Sequence, residues 1–144
     1  MSCLGFLTEQ QRAALAASSS ADAAGAPLSA FASPPPSDGK TARVRALAAS
    51  ADPRIRESAA LSYRAPDDVL VELAGDPDAG VRRCVARNEH TPVAVLRRLV
   101  DDPDPFVRGW VAAHPSLPAH LLDRLATDPD AAVRAVVTWA RGWT

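Results

Sequence analysis

A 26-residue repeat that runs without gaps through the C-terminal three-quarters of the chain constrains the fold more than any other feature. The segment Asp76–Asp101, DPDAGVRRCVARNEHTPVAVLRRLVD, recurs as DPDPFVRGWVAAHPSLPAHLLDRLAT over residues 102–127. Its first half recurs again from Asp128, and a diverged copy occupies residues 50–75. A fixed period of this length is typical of repeat arrays, in which each unit buries its apolar face against the next.

Each repeat is predicted to contain two short helices. In the copy that starts at Asp76, this residue is the expected N-cap of the first helix and Pro77 its first residue, because a carboxylate accepts from free first-turn amides and proline lacks one. Val81, Cys84 and Val85 then form an apolar stripe at helical spacing.

The first helix is expected to end near Arg87, with Asn88 as a left-handed stop. Thr91 is the expected cap of the second helix and Pro92 its first residue. A helix this short is either α-helical throughout or partly a 3₁₀ turn. Neither helix would be stable alone, so stability must come from stacking on neighbouring repeats.

The chain divides into three predicted regions. Residues 1–15 are predicted to form a helix, either a cap over the first repeat or the remnant of an upstream unit. Residues 16–39, rich in Ala, Ser and Pro, are predicted to form a linker. The repeat domain, 40–144, divides into a half-repeat 40–49, full repeats 50–75, 76–101 and 102–127, and a terminal half-repeat 128–144.

The composition narrows the class of protein. Abundant Ala and only 5% aromatic residues suit a thin core between stacked helices, and a net charge of −1 argues against a dedicated nucleic-acid binder. Arg supplies fifteen of the sixteen basic residues, which with the Ala content indicates a GC-rich bacterial genome. Two distant cysteines, Cys3 and Cys84, favour a cytoplasmic protein with a buried free thiol at Cys84. No apolar run is long enough to predict a membrane span.

The recurring string D-P-D-x-x-V-R-x-x-V-A, followed by N-x-x-T-P or H-P-x-x-P and then L-L-x-x-L-A, resembles the leucine-rich repeat variant family. Its first half is also similar to HEAT repeats. The resemblance implies an all-α, right-handed solenoid of α and 3₁₀ helices that acts as a binding scaffold without catalytic residues. Some members carry an N-terminal iron–sulfur module, but Cys3 is the only cysteine before these repeats, so no cofactor is predicted.

One arginine recurs at the same position in every repeat. In the last three repeats it lies six residues after the aspartate of an Asp-Pro pair, so the helix brings it back towards the loop that starts its own or the next repeat. We expect Arg–Asp hydrogen bonds that set the angle between repeats; the alternative is a row of phosphate-binding groups. The predicted structural ladder consists of Asp76, Arg82, Asp102, Arg108, Asp128 and Arg134.

Residues that differ between the copies are the candidates for function, because those that recur mainly build the scaffold. The predicted function is a non-catalytic module that binds a protein, and the alternative is nucleic-acid binding by an Arg-lined face. Trp139 and Trp143 are expected to cover the apolar face of the last repeat, and the alternative is an exposed patch through which the chain self-associates. No catalytic, metal or cofactor motif is recognised. The candidate partner surface consists of Asp68, Glu72, Arg83, Arg87, Arg97, Arg98, His120 and Arg124.

Overall fold

The computed structural model describes residues 38–142, and this part of the chain folds into eight α-helices with no strand. The predicted N-terminal helix, the predicted linker up to residue 37, and Trp143 lie outside the described residues. The helices are α1 Asp38–Ala48, α2 Pro53–Ala60, α3 Asp67–Leu73, α4 Ala79–Arg87, α5 Val93–Leu99, α6 Pro105–Ala112, α7 Ala119–Leu125 and α8 Ala131–Arg141.

The helices stack in two layers. Helices α2, α4, α6 and α8, which open the successive repeats, pack side by side and form the first layer. Helices α3, α5 and α7 each contact the first-layer helices before and after them and form the second layer. This arrangement confirms the predicted all-α solenoid of helix pairs, while its handedness stays a prediction.

The core runs between the two layers as a continuous line of small aliphatic side chains. Val81, Val107 and Val133 occupy one position in three successive first-layer helices, and each is at most 1% exposed. Leu70 and Leu96 contribute to this core from the second layer and are fully buried. Such helices are too short to be stable alone, so burial against neighbouring repeats supplies most of their stability.

The first-layer helices begin two residues later than predicted. Asp78, not Asp76, is the N-cap of α4, and its carboxylate accepts from the amides of Gly80 and Val81. The first aspartate of each Asp-Pro-Asp segment makes other contacts, since Asp76 accepts from the amide of Asp78 and from an arginine of the preceding repeat. The first aspartate therefore binds the previous repeat, and the second caps the helix.

The connection between the two helices of a repeat also differs from the prediction. Asn88 ends α4 in an extended rather than a left-handed conformation. Thr91 does not cap α5, because its buried hydroxyl donates to the Val85 carbonyl, and Pro92 takes the cap position without a side-chain bond. Helix α5 is α-helical over its seven residues, which is the first of the two predicted forms.

Candidate functional site

The arginines that recur in the repeats form a ladder of hydrogen bonds across repeat boundaries. Arg82 donates from Nε and Nη2 to the carboxylate of Asp102 at 2.7 and 3.0 Å, and from Nη1 to the Asp76 carbonyl at 2.8 Å. The side chains of Arg82 and Asp102 are only 13% and 4% exposed. One guanidinium thus joins the carboxylate of the next repeat to the backbone of its own.

The same rung occurs one repeat before and one repeat after. Arg56 holds Asp76, and Arg108 holds Asp128, with Nε–O distances of 2.6 and 2.7 Å. Each hydrogen bond from the arginine holds the pKa of its carboxyl partner, Asp76 or Asp128, below the ordinary value of 3.8. Because the donors of these three arginines are engaged inside the protein, they are poorly placed to bind phosphate groups.

Arg134 occupies the last rung. Its Nη1 donates to the carbonyls of Asp128 and Pro129, at 2.6 and 2.9 Å. Within residues 38–142 no carboxylate lies within 4.0 Å of its guanidinium, in contrast to the other three arginines of the series. Arg134 is also exposed, so it differs from them in both environment and partners.

A second, buried series of cross-repeat bonds was missed by the sequence analysis. The amide of Asn88 donates to the carbonyls of Ala60 and Ser62, and in the next repeat His114 Nε2 lies 2.9 Å from the Asn88 carbonyl. The amide of Ser116 donates to His114 Nδ1, so Nε2 carries the proton and donates. The sequence does contain a signal for these bonds, because Asn88 and His114, two polar residues, share one repeat position. That position by itself indicated only the end of a helix.

The candidate partner residues do not form one surface. All eight are exposed, but they lie on both layers. Arg83 and Arg87 lie on α4, in the first layer. The other six lie on the second-layer helices: Asp68, Glu72, Arg97, Arg98, His120 and Arg124.

Some charges of the second layer have partners in the protein. Asp68 accepts three hydrogen bonds from Arg45, with a closest approach of 3.0 Å, and Arg124 lies 2.5 Å from Asp101. Arg98 Nη1 donates to the Val71 carbonyl at 3.4 Å. These exposed contacts stabilise the protein little and leave a surface of mixed sign.

The first layer presents a different surface. Arg87 stacks over the ring of Trp110 at 4.8 Å from its centroid. Trp110 occupies the repeat position of the buried Cys84, yet it is 42% exposed, because this position lies at the edge of the buried stripe and the large ring extends over the surface. Phe106 and Trp139 lie nearby on α6 and α8 and are 67% and 57% exposed.

A shallow apolar groove separates α6 from α8. Its volume is about 300 Å³. Gly109, in the middle of α6, lies in the groove, and nothing lies within 4 Å of where its Cβ would be. The groove is lined by Pro105, Phe106, Gly109, Trp110, Ala113, Ala132, Val133, Val136 and Trp139.

Two side chains of residues 38–142 that could carry chemistry are Cys84 and His90. Cys84 is a free, buried cysteine, as predicted, and burial raises the pKa of its thiol above the ordinary value of 9.0. His90 packs edge-on against Tyr63 at 4.5 Å. In the part of the chain that the structure describes, no three His, Cys, Asp or Glu side chains are placed to bind a metal ion. No helix of that part is long and apolar enough to cross a bilayer.

A comparison with protein families places the repeats. The family model described as leucine rich repeat variant matches residues 79–104 and 105–130. The two repeats over residues 79–130 are leucine rich repeat variant repeats. Each match starts at the first residue of a first-layer helix, three residues after the predicted boundaries at Asp76 and Asp102, and the 26-residue period is the same. No curated protein and no solved structure matches the chain.

Proposed function

We propose that this leucine rich repeat variant chain is a non-catalytic module that binds a protein partner through the outer face of its first layer. The observation that carries the proposal is the exposed aromatic group Phe106, Trp110 and Trp139 beside Arg87. Aromatic residues and arginine are enriched at protein interfaces and dominate their binding energy. Single exposed apolar residues are ordinary, but a contiguous aromatic group favours an interaction site.

The absence of catalysis is part of the proposal. The lowered pKa values at Asp76 and Asp128 have a structural cause, since both carboxylates are held by ladder arginines. Perturbed acids or bases gathered in a cleft would favour an enzyme. Here these two acids lie in different rungs, and each is already bound by its own arginine and a backbone amide.

Nucleic-acid binding is the second candidate. It is favoured by four exposed arginines that have no carboxylate within 4.0 Å among residues 38–142: Arg83, Arg87, Arg97 and Arg98. It is disfavoured by the ladder, because Arg56, Arg82 and Arg108 donate to carboxylates and carbonyls inside the protein. Arg83 and Arg87 lie on one helix, and only Arg87 lies over an aromatic ring, so they form a small cationic site rather than a track along a phosphate backbone.

Affinity capture from the native host, with mass-spectrometric identification, tests the proposal. The baits are the wild-type chain, Trp110→Ala, and the matched control Leu61→Ala, which removes an exposed apolar side chain from the end of α2. We expect a protein that is retained by the wild type and by Leu61→Ala and lost with Trp110→Ala.

The nucleic-acid candidate is tested on the same proteins with labelled single-stranded and duplex DNA and RNA at low salt. We expect no measurable binding. Capture of nucleic acid alone, with an affinity that falls steeply as salt is raised, would overturn the proposal in favour of the second candidate.

A further inference from the structure

We infer that the groove between α6 and α8 binds a short acidic segment of a partner protein. One large apolar side chain of this segment would occupy the groove, and one of its carboxylates would pair with the guanidinium of Arg87. This inference rests on the proposed function and adds the chemistry of the partner. It follows from the shape of the groove, from the charge around it and from the geometry of Arg87.

The shape of the groove indicates how much it can hold. A volume of about 300 Å³ lies at the lower end of the range for ligand pockets, roughly 300–1,000 Å³. The groove is shallow and almost entirely apolar in lining, without the convergent polar groups that would orient a cofactor. It therefore suits one aromatic or branched side chain presented by a larger molecule.

Gly109 keeps the groove open. The equivalent positions in the other first-layer helices are occupied by Glu57, Arg83 and Ala135, so the scaffold accepts side chains there. Glycine in a helix interior is unfavourable relative to alanine. Because nothing in the protein approaches the position of its Cβ, the fold has no steric need for glycine there. What the glycine provides is open space beside Trp110.

The two helices that form the groove, α6 and α8, contain no acidic residue. Glu57 is the only acidic residue within the four first-layer helices, and it belongs to α2, with its carboxylate against Gly80 rather than near α6 or α8. Arg83 and Arg87 reach the surface on α4, and neither has an ion-pair partner within residues 38–142. The aspartates that cap these helices lie at their N-terminal ends and are engaged by backbone amides, as at Asp104 and Asp130.

Arg87 is positioned to form an ion pair with a carboxylate of the partner. Its guanidinium lies over Trp110, whose ring also borders the groove. A guanidinium over an aromatic ring keeps N–H groups that do not face the ring, and these can still form a bidentate pair with a carboxylate. An apolar side chain in the groove would thus contact Trp110, and a carboxylate a few residues away would contact Arg87 beside it. This is the complementarity that selects an acidic, apolar segment over a basic one.

The experiment is a selection of random peptides of about twelve residues displayed on phage against the full chain, with counter-selection on Gly109→Leu. Such a length spans an interface of modest size. We expect the enriched peptides to share a large apolar residue with an Asp or Glu close to it in sequence. The best peptide is then synthesised with a fluorescent label, and its affinity is measured for each variant by fluorescence anisotropy.

Three variants report on the two contacts. Gly109→Leu fills the groove and Trp110→Ala removes its wall, and each is expected to weaken binding about 30-fold or more, as at an interface hot spot. Arg87→Gln is expected to weaken binding about fivefold at low salt and less at high salt. Arg54→Gln, an exposed arginine of α2, is the matched control and is expected to leave affinity unchanged. Circular dichroism checks that each variant is folded. If Gly109→Leu does not fold, Gly109→Ala replaces it, because nothing lies within 4 Å of the added Cβ.

The inference is overturned if no peptide is enriched over the counter-selection, or if the enriched peptides lack acidic residues. It is also overturned if the peptide binds Gly109→Leu or Arg87→Gln as tightly as the wild type. These failures are distinguishable from failure of the proposed function. If a protein is captured by the wild type but not by Trp110→Ala, and its capture is unchanged by Arg87→Gln and by salt, the proposed function holds and only this inference is contradicted.

Discussion

At the scale of single residues, the arginine of each repeat is placed by two different parts of the solenoid. Arg82 binds the carbonyl of Asp76, which starts its own repeat, and the carboxylate of Asp102, which starts the next. Bidentate pairs between arginine and a carboxylate are directional, and at 13% and 4% exposure this one is largely shielded from water. The proposed consequence is a fixed angle between neighbouring repeats.

Replacing Arg82 by alanine should lower the free energy of unfolding by about 1.5–3 kcal/mol, because it leaves the buried carboxylate of Asp102 without its charged partner. The matched control is Arg134→Ala, which removes bonds to two carbonyls but none to a carboxylate. Urea unfolding monitored by circular dichroism measures both. Equal losses from the two substitutions would show that the carboxylate contact contributes nothing.

At the scale of helices, the start of each first-layer helix depends on the second aspartate of the Asp-Pro-Asp segment. Asp78 and Asp130 each accept from two amides of the first turn, while Asp104 accepts from one. The second-layer helices α3, α5 and α7 begin after a proline without any side-chain cap. They have seven residues each and depend on burial of their leucines rather than on their ends.

Asp78→Ala should therefore destabilise the protein by about 1 kcal/mol through loss of the α4 cap. Asp101→Ala, which removes the exposed partner of Arg124, is the control and should cost less, about 0–1 kcal/mol. Thermal unfolding gives both values, and amide hydrogen exchange should place the Asp78→Ala effect in the first turn of α4. Unchanged exchange at Gly80 and Val81 would contradict the assignment of the cap.

At the scale of the whole molecule, the ladder couples stability to pH. The pKa values of Asp76 and Asp128 are lowered in the folded protein by their arginines, Arg56 and Arg108. The unfolded chain therefore binds protons at a higher pH than the folded one does. It follows that the stability from these rungs is complete above the ordinary carboxyl pKa of 3.8 and is lost as the pH falls below it, through the lower pKa of the folded state.

The free energy of unfolding, measured by urea titration from about pH 6 to below 3.8, should fall at the acidic end of this range. Asp76→Asn should have a lower free energy of unfolding than the wild type near neutral pH. This free energy should also fall less on acidification, because the variant lacks the carboxyl group of one Arg–Asp pair. Asp123→Asn, in an exposed pair with Arg141, serves as the control and should keep the acid slope of the wild type. Parallel curves for the wild type and Asp76→Asn would contradict the coupling.

The repeat by itself determined the class of fold. The 26-residue period predicted stacked helix pairs, the spacing of Val81, Cys84 and Val85 predicted an apolar stripe, and all three residues are buried. That prediction succeeds because helical periodicity is a local property, set by residues three or four positions apart. The same local logic predicted the end of α4 at Arg87.

The tertiary structure decided what each polar residue does. Asp76 and Asp78 are equally good caps in sequence, and only the approach of Arg56 from the preceding repeat assigns the cap to Asp78. Trp110 shares a repeat position with buried Cys84, yet its larger ring emerges beside Arg87 and borders the groove that Gly109 opens. These outcomes depend on distances between residues that are twenty or more positions apart, which a repeat pattern does not encode until the helices are stacked.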